Sequence, residues 1–449
     1  MGCRFAATSE SGLEFCYHSH MLDAKKFRRQ LTSKDNYSRK AMNDEKVKEK
    51  MEEAGVGAVS AGGLISQMRE SGFEHVRGDV TVRLADSYGF CWGVERAVQM
   101  AYEARKQYPE EKLFITNEII HNPTVNEKLK EMDVHFIEPG ASPEEEKDFS
   151  DVRQGDVVIL PAFGASVHEM KLLDERGVQI VDTTCPWVSK VWNAVDVHKR
   201  KNYTSIIHGK WAHEETIATA SFAKVYLIVK NEKEAQYVID YIHADEAARA
   251  SERPAFMEKF AKAMSEGFDP DRDLVAVGVA NQTTMLKGET EAIGKMFERC
   301  MMRKYGVDVL NEHYMVLDTI CDATQERQDA MFDLVKEDAA KAADAGAANK
   351  TALDVMLVVG GFNSSNTSHL QEIAEEKNIP SYWVDTADRV HADGSITHKT
   401  SWGELLDSKA WLPRGPFVLG VTSGASTPDK VVEDVLDRIF ALTDAKALS

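Results

Sequence analysis

The sequence predicts an α/β protein built as three lobes in a pseudo-threefold arrangement, each lobe an α/β unit with a mainly parallel sheet. Three observations carry this expectation. From Cys91 onward, short apolar runs alternate with amphipathic helical segments, the pattern of parallel strands joined by helical crossovers. A strand, a cysteine and a helix follow one another three times, at Cys91, Cys185 and Cys321. Two of these junctions share the form Asp-Thr-x-Cys, as Asp182-Thr183-Thr184-Cys185 and Asp318-Thr319-Ile320-Cys321. Parallel sheets carry their functional loops beyond the C-terminal strand ends, so three such units would bring the junctions together around an axis.

Taken in order, residues 1–78 read as a peripheral arm. They are polar and charge-dense, the helical segments 24–30 and 43–51 have thin apolar faces, and 64–68 is a short docking helix. Cys3 and Cys16 lie there without periodic neighbours. A first unit spans 79–185. Val80, Val82 and Leu84 alternate as in a half-buried strand, and Val94, Ala97, Val98 and Ala101 repeat at helical spacing. Cys91 falls in the turn between them, bracketed by Gly89 and Gly93. Residues 113–116, 157–160 and 179–182 read as strands and 123–130 as a helix. The second unit, 186–316, opens with Pro186 in the first turn of a helix that buries Val188, Val191, Trp192 and Val195. Strands follow at 205–207, 225–229 and 275–279, with helices or an insertion over 240–271. The third unit, 317–449, takes its lead from a strand over 315–320 and continues with strands at 355–359, 382–384 and 417–421. An exposed helix end and loop is expected over 341–350.

The formal net charge of −19, from 73 acidic and 54 basic residues, argues against a nucleic-acid-binding surface. An anionic small substrate would need a locally basic site. Six cysteines in 449 residues are too few for a disulfide scaffold, and no Cys-x-x-Cys pair occurs. No apolar run is long enough to span a membrane, and the first forty residues lack the hydrophobic region of a secretory signal.

A thiol at a helix N-terminus ionises more readily because the free N–H groups favour negative charge. Three convergent thiolates can hold zinc completed by histidine or an iron-sulfur cluster, and inert buried cysteines are the remaining reading. If three cysteines hold a cubane cluster, its fourth iron stays open to a substrate. The loop Gly360-Gly361-Phe362-Asn363-Ser364-Ser365-Asn366-Thr367 presents hydroxyl and amide donors at a helix start, as an anion site or a cap. Gly424-Ala425-Ser426-Thr427-Pro428 does the same. His121 and His213 lie on loops at the expected active face, where histidine can neutralise a diphosphate and Glu215 can deliver a proton. Thr283 can orient a hydroxyl there or simply end a strand.

The ordered set Gly-Phe-Cys-Trp-Gly-Val-Glu-Arg-Ala (89–97), His-Asn-Pro-Thr-Val (121–125), Asp-Thr-Thr-Cys-Pro (182–186), Gln-Thr-Thr (282–284), Asn-Ser-Ser-Asn (363–366) and Gly-Ala-Ser-Thr-Pro-Asp (424–429) resembles the 4-hydroxy-3-methylbut-2-enyl diphosphate reductase family. The resemblance runs from about Asp79 to Ile439 and is to the plastid and cyanobacterial branch. It implies three lobes around a central [4Fe-4S] cluster, one per subunit, on Cys91, Cys185 and Cys321. It places the diphosphate on His121, His213, Ser364, Ser365, Asn366 and Ser426, and the hydroxyl and proton-transfer end on Thr283 and Glu215. The implied reaction is reductive dehydroxylation of the allylic diphosphate to isopentenyl and dimethylallyl diphosphate, the last step of the methylerythritol phosphate pathway. Ferredoxin is the implied electron donor and the plastid stroma the implied location, with the cyanobacterial cytoplasm as alternative. The chain could act as a monomer or a homodimer. A zinc hydrolase of a phosphorylated metabolite and a noncatalytic iron-sulfur sensor are the competing readings. Two departures stand out. Phe163 occupies a position where bacterial relatives carry histidine, with His168 nearby on the following helix. Glu214 replaces a common proline and is expected to face outward, away from a diphosphate.

Overall fold

The computed structural model describes residues 23–60, 62–138, 140, 147–344 and 353–447; Cys3, Cys16 and the 345–350 part of the expected loop lie outside them. The chain runs α1 (Ala24–Leu31), β1 (Tyr37–Ser38), α2 (Glu45–Glu53), α3 (Leu64–Glu70), β2 (Glu74–Arg77), β3 (Val80–Leu84), α4 (Trp92–Gln107), β4 (Leu113–Ile115), α5 (Pro123–Glu131), β5 (Val134–Phe136), β6 (Val157–Leu160), α6 (Val167–Arg176) and β7 (Gln179–Asp182). It continues with α7 (Pro186–Arg200), β8 (Thr204–His208), α8 (Glu214–Phe222), β9 (Tyr226–Val229), α9 (Glu232–His243), α10 (Glu246–Lys259), α11 (Pro270–Asp273), β10 (Val277–Asn281), α12 (Lys287–Tyr305), α13 (Leu310–His313) and β11 (Tyr314–Val316). The last stretch holds α14 (Asp322–Asp344), β12 (Val355–Val359), α15 (Ser365–Glu376), β13 (Ser381–Val384), β14 (Ile396–Lys399), β15 (Leu405–Ser408), β16 (Phe417–Ser423) and α16 (Asp429–Ala447).

Among the described residues these strands form three sheets, ordered β1-β7-β6-β4-β5, β11-β10-β8-β9 and β15-β14-β13-β12-β16-β3-β2. The first two are parallel throughout. The third is parallel at its centre and antiparallel at its edges, where β2 pairs with β3 and β14 with both β13 and β15. Strands such as Val157–Leu160 and Val355–Val359 are buried on both faces, as the unbroken apolar runs require.

Sheet membership crosses the expected boundary at residue 79. β3 pairs with β16, Val80 opposite Phe417, and so belongs to the third sheet rather than to a first unit of 79–185. Its successor α4 nevertheless packs Ala97, Val98 and Ala101 against Leu113, Ile115 and Val157 of the first sheet. The same exchange follows each cysteine. β7 lies in the first sheet, and after Cys185 the helix α7 runs onto β8 and β10 of the second. β11 is an edge of the second sheet, and α14 packs Met331 against Met356, Val358 and Trp383 of the third. Each cysteine therefore stands where the chain leaves one sheet for the next.

The N-terminal segment is not a peripheral arm. β1 extends the first sheet, with Tyr37 opposite Ile180 on β7, and Leu31, Val47, Met51, Ile65 and Met68 are all buried. One or two apolar residues per helix suffice because each helix meets a core already formed by other elements. The segment also supplies the partners of Asp182, whose carboxylate is fully buried two residues past Ile180. Arg39 Nε lies 2.8 Å from Asp182 Oδ2, Arg28 Nη2 lies 3.7 Å away, and the Tyr37 hydroxyl donates to the same oxygen. Burial and the adjacent carboxylate push the Tyr37 phenol far above its ordinary range, so it remains a donor. A buried carboxylate is stable only when its lone pairs are used. Tyr37→Phe should lower the unfolding free energy by about 1–3 kcal/mol, the cost of stripping one donor from a buried acceptor. Chemical denaturation checks this, and an unchanged midpoint would show that the segment does not anchor the Asp182 loop.

Candidate functional site

Cys91 and Cys185 are the N-cap residues of α4 and α7, and Cys321 immediately precedes α14. The backbone N–H of Cys91 donates to Ala425 O at 3.1 Å and that of Cys185 to Ala162 O at 2.8 Å. Gly93 explains how two of the junctions meet. A Cβ at this position would lie 2.5 Å from Cys185 Sγ, so only glycine lets the first turn of α4 approach the second thiol. Burial pushes the Cys185 thiol up to about 12, with Cys91 and then Cys321 adding to the effect. Burial likewise raises Cys321 to about 11, with Cys91 and Glu215 contributing. Cys185 and Cys321 therefore resist becoming thiolates unless a cationic centre joins them. The buried Arg327 of α14 donates to Gly89 O through Nη2 at 2.6 Å and Nε at 3.1 Å, tying the loop before Cys91 to the helix after Cys321.

Glu215 sits in the first turn of α8. Its Oε1 accepts from the Thr283 backbone N–H at 2.5 Å and its Oε2 from the Thr283 hydroxyl at 2.9 Å. Burial raises its pKa to about 7 against the opposing Thr283 bonds. His213 caps the same helix, its Nδ1 accepting from the Glu215 N–H at 3.2 Å. Burial, reinforced by His121, pushes His213 down to about 3, so the ring is neutral and carries its proton on Nε2. The His121 ring stands edge-on to His213 at 5.3 Å, and His121 Nδ1 meets Glu118 Oε2 at 2.9 Å. Nε2 of both rings is buried without a partner among the described residues.

Phe163 stacks on His121 at 4.9 Å between ring centres and so fixes that imidazole by packing rather than by a hydrogen bond. His168 is exposed on α6. Glu214 does not face outward as expected. It accepts from Asn117 Nδ2 at 2.6 Å, and His121 and His213 outweigh the burial that would otherwise raise its pKa, holding it below the usual range. His121, His213 and Glu214 offer ligand atoms within 4.8 Å of one another, a group able to hold a metal ion.

The third sheet brings the remaining donors. Ser364 caps α15, accepting from Thr367 N–H at 3.3 Å, while Ser365 Oγ and Asn366 Nδ2 are buried without partners among the described residues. Asn366 Oδ1 accepts from Ala425 N–H at 2.9 Å, and Ser426 Oγ donates to His121 O at 3.1 Å. A Cβ at Gly361 would collide with that same His121 carbonyl. The loops bearing His121, Ser364–Asn366 and Ser426 thus touch, and Ala425 connects them to Cys91. Orphaned buried donors cost about 1–3 kcal/mol each, so their convergence marks a place shaped for an acceptor-rich ligand. Arg327 and Asn117 were not singled out from the sequence. Arg327 lies six residues after Cys321 with nothing local to separate it from a solvated arginine.

The architecture and the site together define an α/β protein of three sheets whose sheet-changing loops gather thiols, a buried acid and anion donors. Comparison with known proteins is specific about which one. The LytB protein family is matched over residues 82–440. The chain is 58% identical over 429 residues to the 4-hydroxy-3-methylbut-2-enyl diphosphate reductase of Thermosynechococcus vestitus, covering 95% of this chain and 100% of that one. It is 57% identical over 421 residues to the reductase of the same name from a Picosynechococcus strain, covering 94% and 98%. The chain belongs to this reductase family. Among solved structures, the reductase from Plasmodium falciparum aligns with a TM-score of 0.56 at 22% identity, over 79% of this chain and 86% of that one, a likeness of fold.

The raised pKa of Glu215 has a consequence for stability. A carboxyl whose folded pKa lies near 7 is destabilising when ionised, a penalty absent below its unfolded value near 4.5 and growing until pH passes about 7. Glu215→Gln should therefore leave the metal-free protein more stable than wild type by about 3 kcal/mol at pH 8. The difference should vanish by pH 4.5. Parallel thermal unfolding curves across this range test the assignment, and a constant difference at all pH values would refute it.

Proposed function

We propose that the chain catalyses reductive dehydroxylation of (E)-4-hydroxy-3-methylbut-2-enyl diphosphate to isopentenyl diphosphate and dimethylallyl diphosphate. The observation that carries this is the meeting of a buried, half-neutral Glu215 with three sheet-changing thiols and orphaned anion donors. Family membership supports the same substrate and places the reaction last in the methylerythritol phosphate route.

Cys91, Cys185 and Cys321 would hold a [4Fe-4S] cluster at the centre of three lobes that follow the three sheets. The donor set fits: three soft ligands converge, and their mutual repulsion is relieved by a cationic centre. When bound, the cluster supplies single electrons, which side chains do not. The residues of the chain do the rest. His213 Nε2–H, Ser364, Ser365 and Asn366 receive the diphosphate as hydrogen-bond donors with His121 and Ser426 beside them, and the N-terminus of α15 adds its partial positive charge. Glu215 holds the proton for the leaving hydroxyl. When Oε2 is protonated, it donates to Thr283 Oγ, and the Thr283 hydroxyl is freed to donate to the substrate. The C–O bond breaks, oxygen leaves as water with that proton, and two electrons and a further proton complete the allyl fragment. Protonation at either end of that fragment gives one product or the other.

The electrons come from an external one-electron donor, ferredoxin in this reading. The location is the plastid stroma or a cyanobacterial cytoplasm. Among the described residues no helix is long and apolar enough to cross a membrane.

Iron and sulfide analysis with low-temperature EPR on anaerobic protein tests the proposal directly. About four irons per chain and a signal altered by the hydroxylated diphosphate are expected. Zinc without sulfide would overturn it in favour of a hydrolase, and a cluster indifferent to the diphosphate would favour a sensor. Glu215→Gln should retain diphosphate affinity while turnover falls roughly 100-fold or more. Equal turnover would remove Glu215 from proton transfer.

A further inference from the structure

Beside the serine loop lies a cleft of about 450 Å³ that shares His213, Ser364 and Ser365 with the site described above. Lys210, Lys230 and Lys399 line it, together with aromatic residues that include Trp211, Trp383 and Trp402. The lysines come from two sheets, Lys210 and Lys230 following β8 and β9 of the second and Lys399 ending β14 of the third. Among the described residues none of the three makes an ion pair with a carboxylate. Glu372, the acid that lines the cleft, is engaged by His369 Nδ1 at 2.6 Å. Lys399 is held in place, its Nζ donating to Phe362 O at 2.7 Å and lying 5.3 Å from the Trp383 ring centre. Burial lowers the pKa of both Lys210 and Lys399 despite the opposing pull of Glu372 on the first and Asp385 on the second, so these ammonium groups have been drawn partly out of water without a carboxylate in direct contact. Drawing a charge out of water without a counter-charge is unfavourable. A bound anion would remove the penalty.

We propose that this cleft is a cationic vestibule for the diphosphate, in which Lys210, Lys230 and Lys399 capture the anion ahead of Ser364, Ser365 and His213. The inference rests on the diphosphate reading of the site. Its physical basis is the field of the whole chain: a net charge of −19 repels an anionic substrate, and a local cluster of unpaired cations reverses the potential along one path. The His213, serine and asparagine donors at the catalytic end carry no charge and the Glu214 carboxylate stands beside them, so cations bordering that end, as these lysines do, would supply the long-range attraction.

The test uses the cluster-loaded enzyme and follows kcat/KM for the hydroxylated allylic diphosphate, and its association rate by stopped flow, against sodium chloride concentration. Lys230→Gln and Lys399→Gln are compared with Lys336→Gln, which removes the same charge from an exposed site on α14. At low salt the two cleft variants should lose roughly 5- to 10-fold in association rate and show a flatter salt dependence, converging on wild type at high salt. Lys399→Arg should recover most of the loss. Salt dependences indistinguishable from that of Lys336→Gln would overturn the vestibule even if turnover is normal. Binding of inorganic pyrophosphate, measured by calorimetry on the same proteins, separates this from the reading it rests on. Lysine-dependent pyrophosphate binding without turnover of the allylic substrate would uphold the vestibule and reject the reductase assignment.

Discussion

The structure depends on a constraint of connectivity: after β1 has given way to β2, the chain changes sheet three more times, and each of these later changes happens at a cysteine. β3 belongs to the third sheet and α4 to the packing of the first; β7 belongs to the first and α7 reaches the second; β11 belongs to the second and α14 packs on the third. A thiol placed at such a crossing is held from both sides by different cores. Three crossings of this kind direct the cysteines toward one another, and Gly93 removes the last steric obstacle between two of them. The same connectivity explains why the His121 loop of the first sheet is in contact with the Ser364–Asn366 and Ser426 loops of the third.

A second layer of organisation is electrostatic. Asp182 leads into the Cys185 junction with its charge fully buried, and its partners arrive from residues far earlier in the chain. Arg39 also lies against this junction, donating to Ser189 Oγ at 3.0 Å, and Arg96 of α4 donates to the Arg39 carbonyl. The segment before residue 79 is thereby coupled to two of the three cysteine-bearing loops. Removing it would leave an uncompensated carboxylate next to the site, which is more damaging than losing a surface extension.

The helix-strand alternation was legible because buried parallel strands are continuous apolar runs, and 157–160 and 179–182 emerged with the ends the structure has. The cysteine junctions were legible because the same local chemistry recurs. What the sequence concealed was which sheet each element joins. β3 reads as the start of a unit because its helix follows directly, yet its pairing with β16 is more than three hundred residues away in the chain. The strand expected over 315–320 ends at Val316, since Thr319 turns its hydroxyl to Asn281 and residues 317–320 run as a loop. The inward turn of Glu214 was hidden for the same reason: Asn117, the partner that draws it in, lies on another sheet's loop.

Glu214 and Phe163 together change the character of the anion site. A histidine at 163 could have contributed a hydrogen bond or a charge; phenylalanine contributes only a stacking face for His121. Glu214 then brings a carboxylate within reach of both histidines, while His213 stays neutral through burial and the N–H it accepts. In the proposed diphosphate reading, the site proper sets the uncharged donors of His213, Ser364, Ser365 and Asn366 beside the Glu214 carboxylate, better suited to distinguishing the shape of a bound diphosphate than to attracting one. Neutral donors act within hydrogen-bond range, whereas attraction across a screened solvent gap needs net charge. On this ground the proposed reading gives recognition and attraction to different residues, the first to the His121, His213 and Ser365 group and the second to cations along the approach.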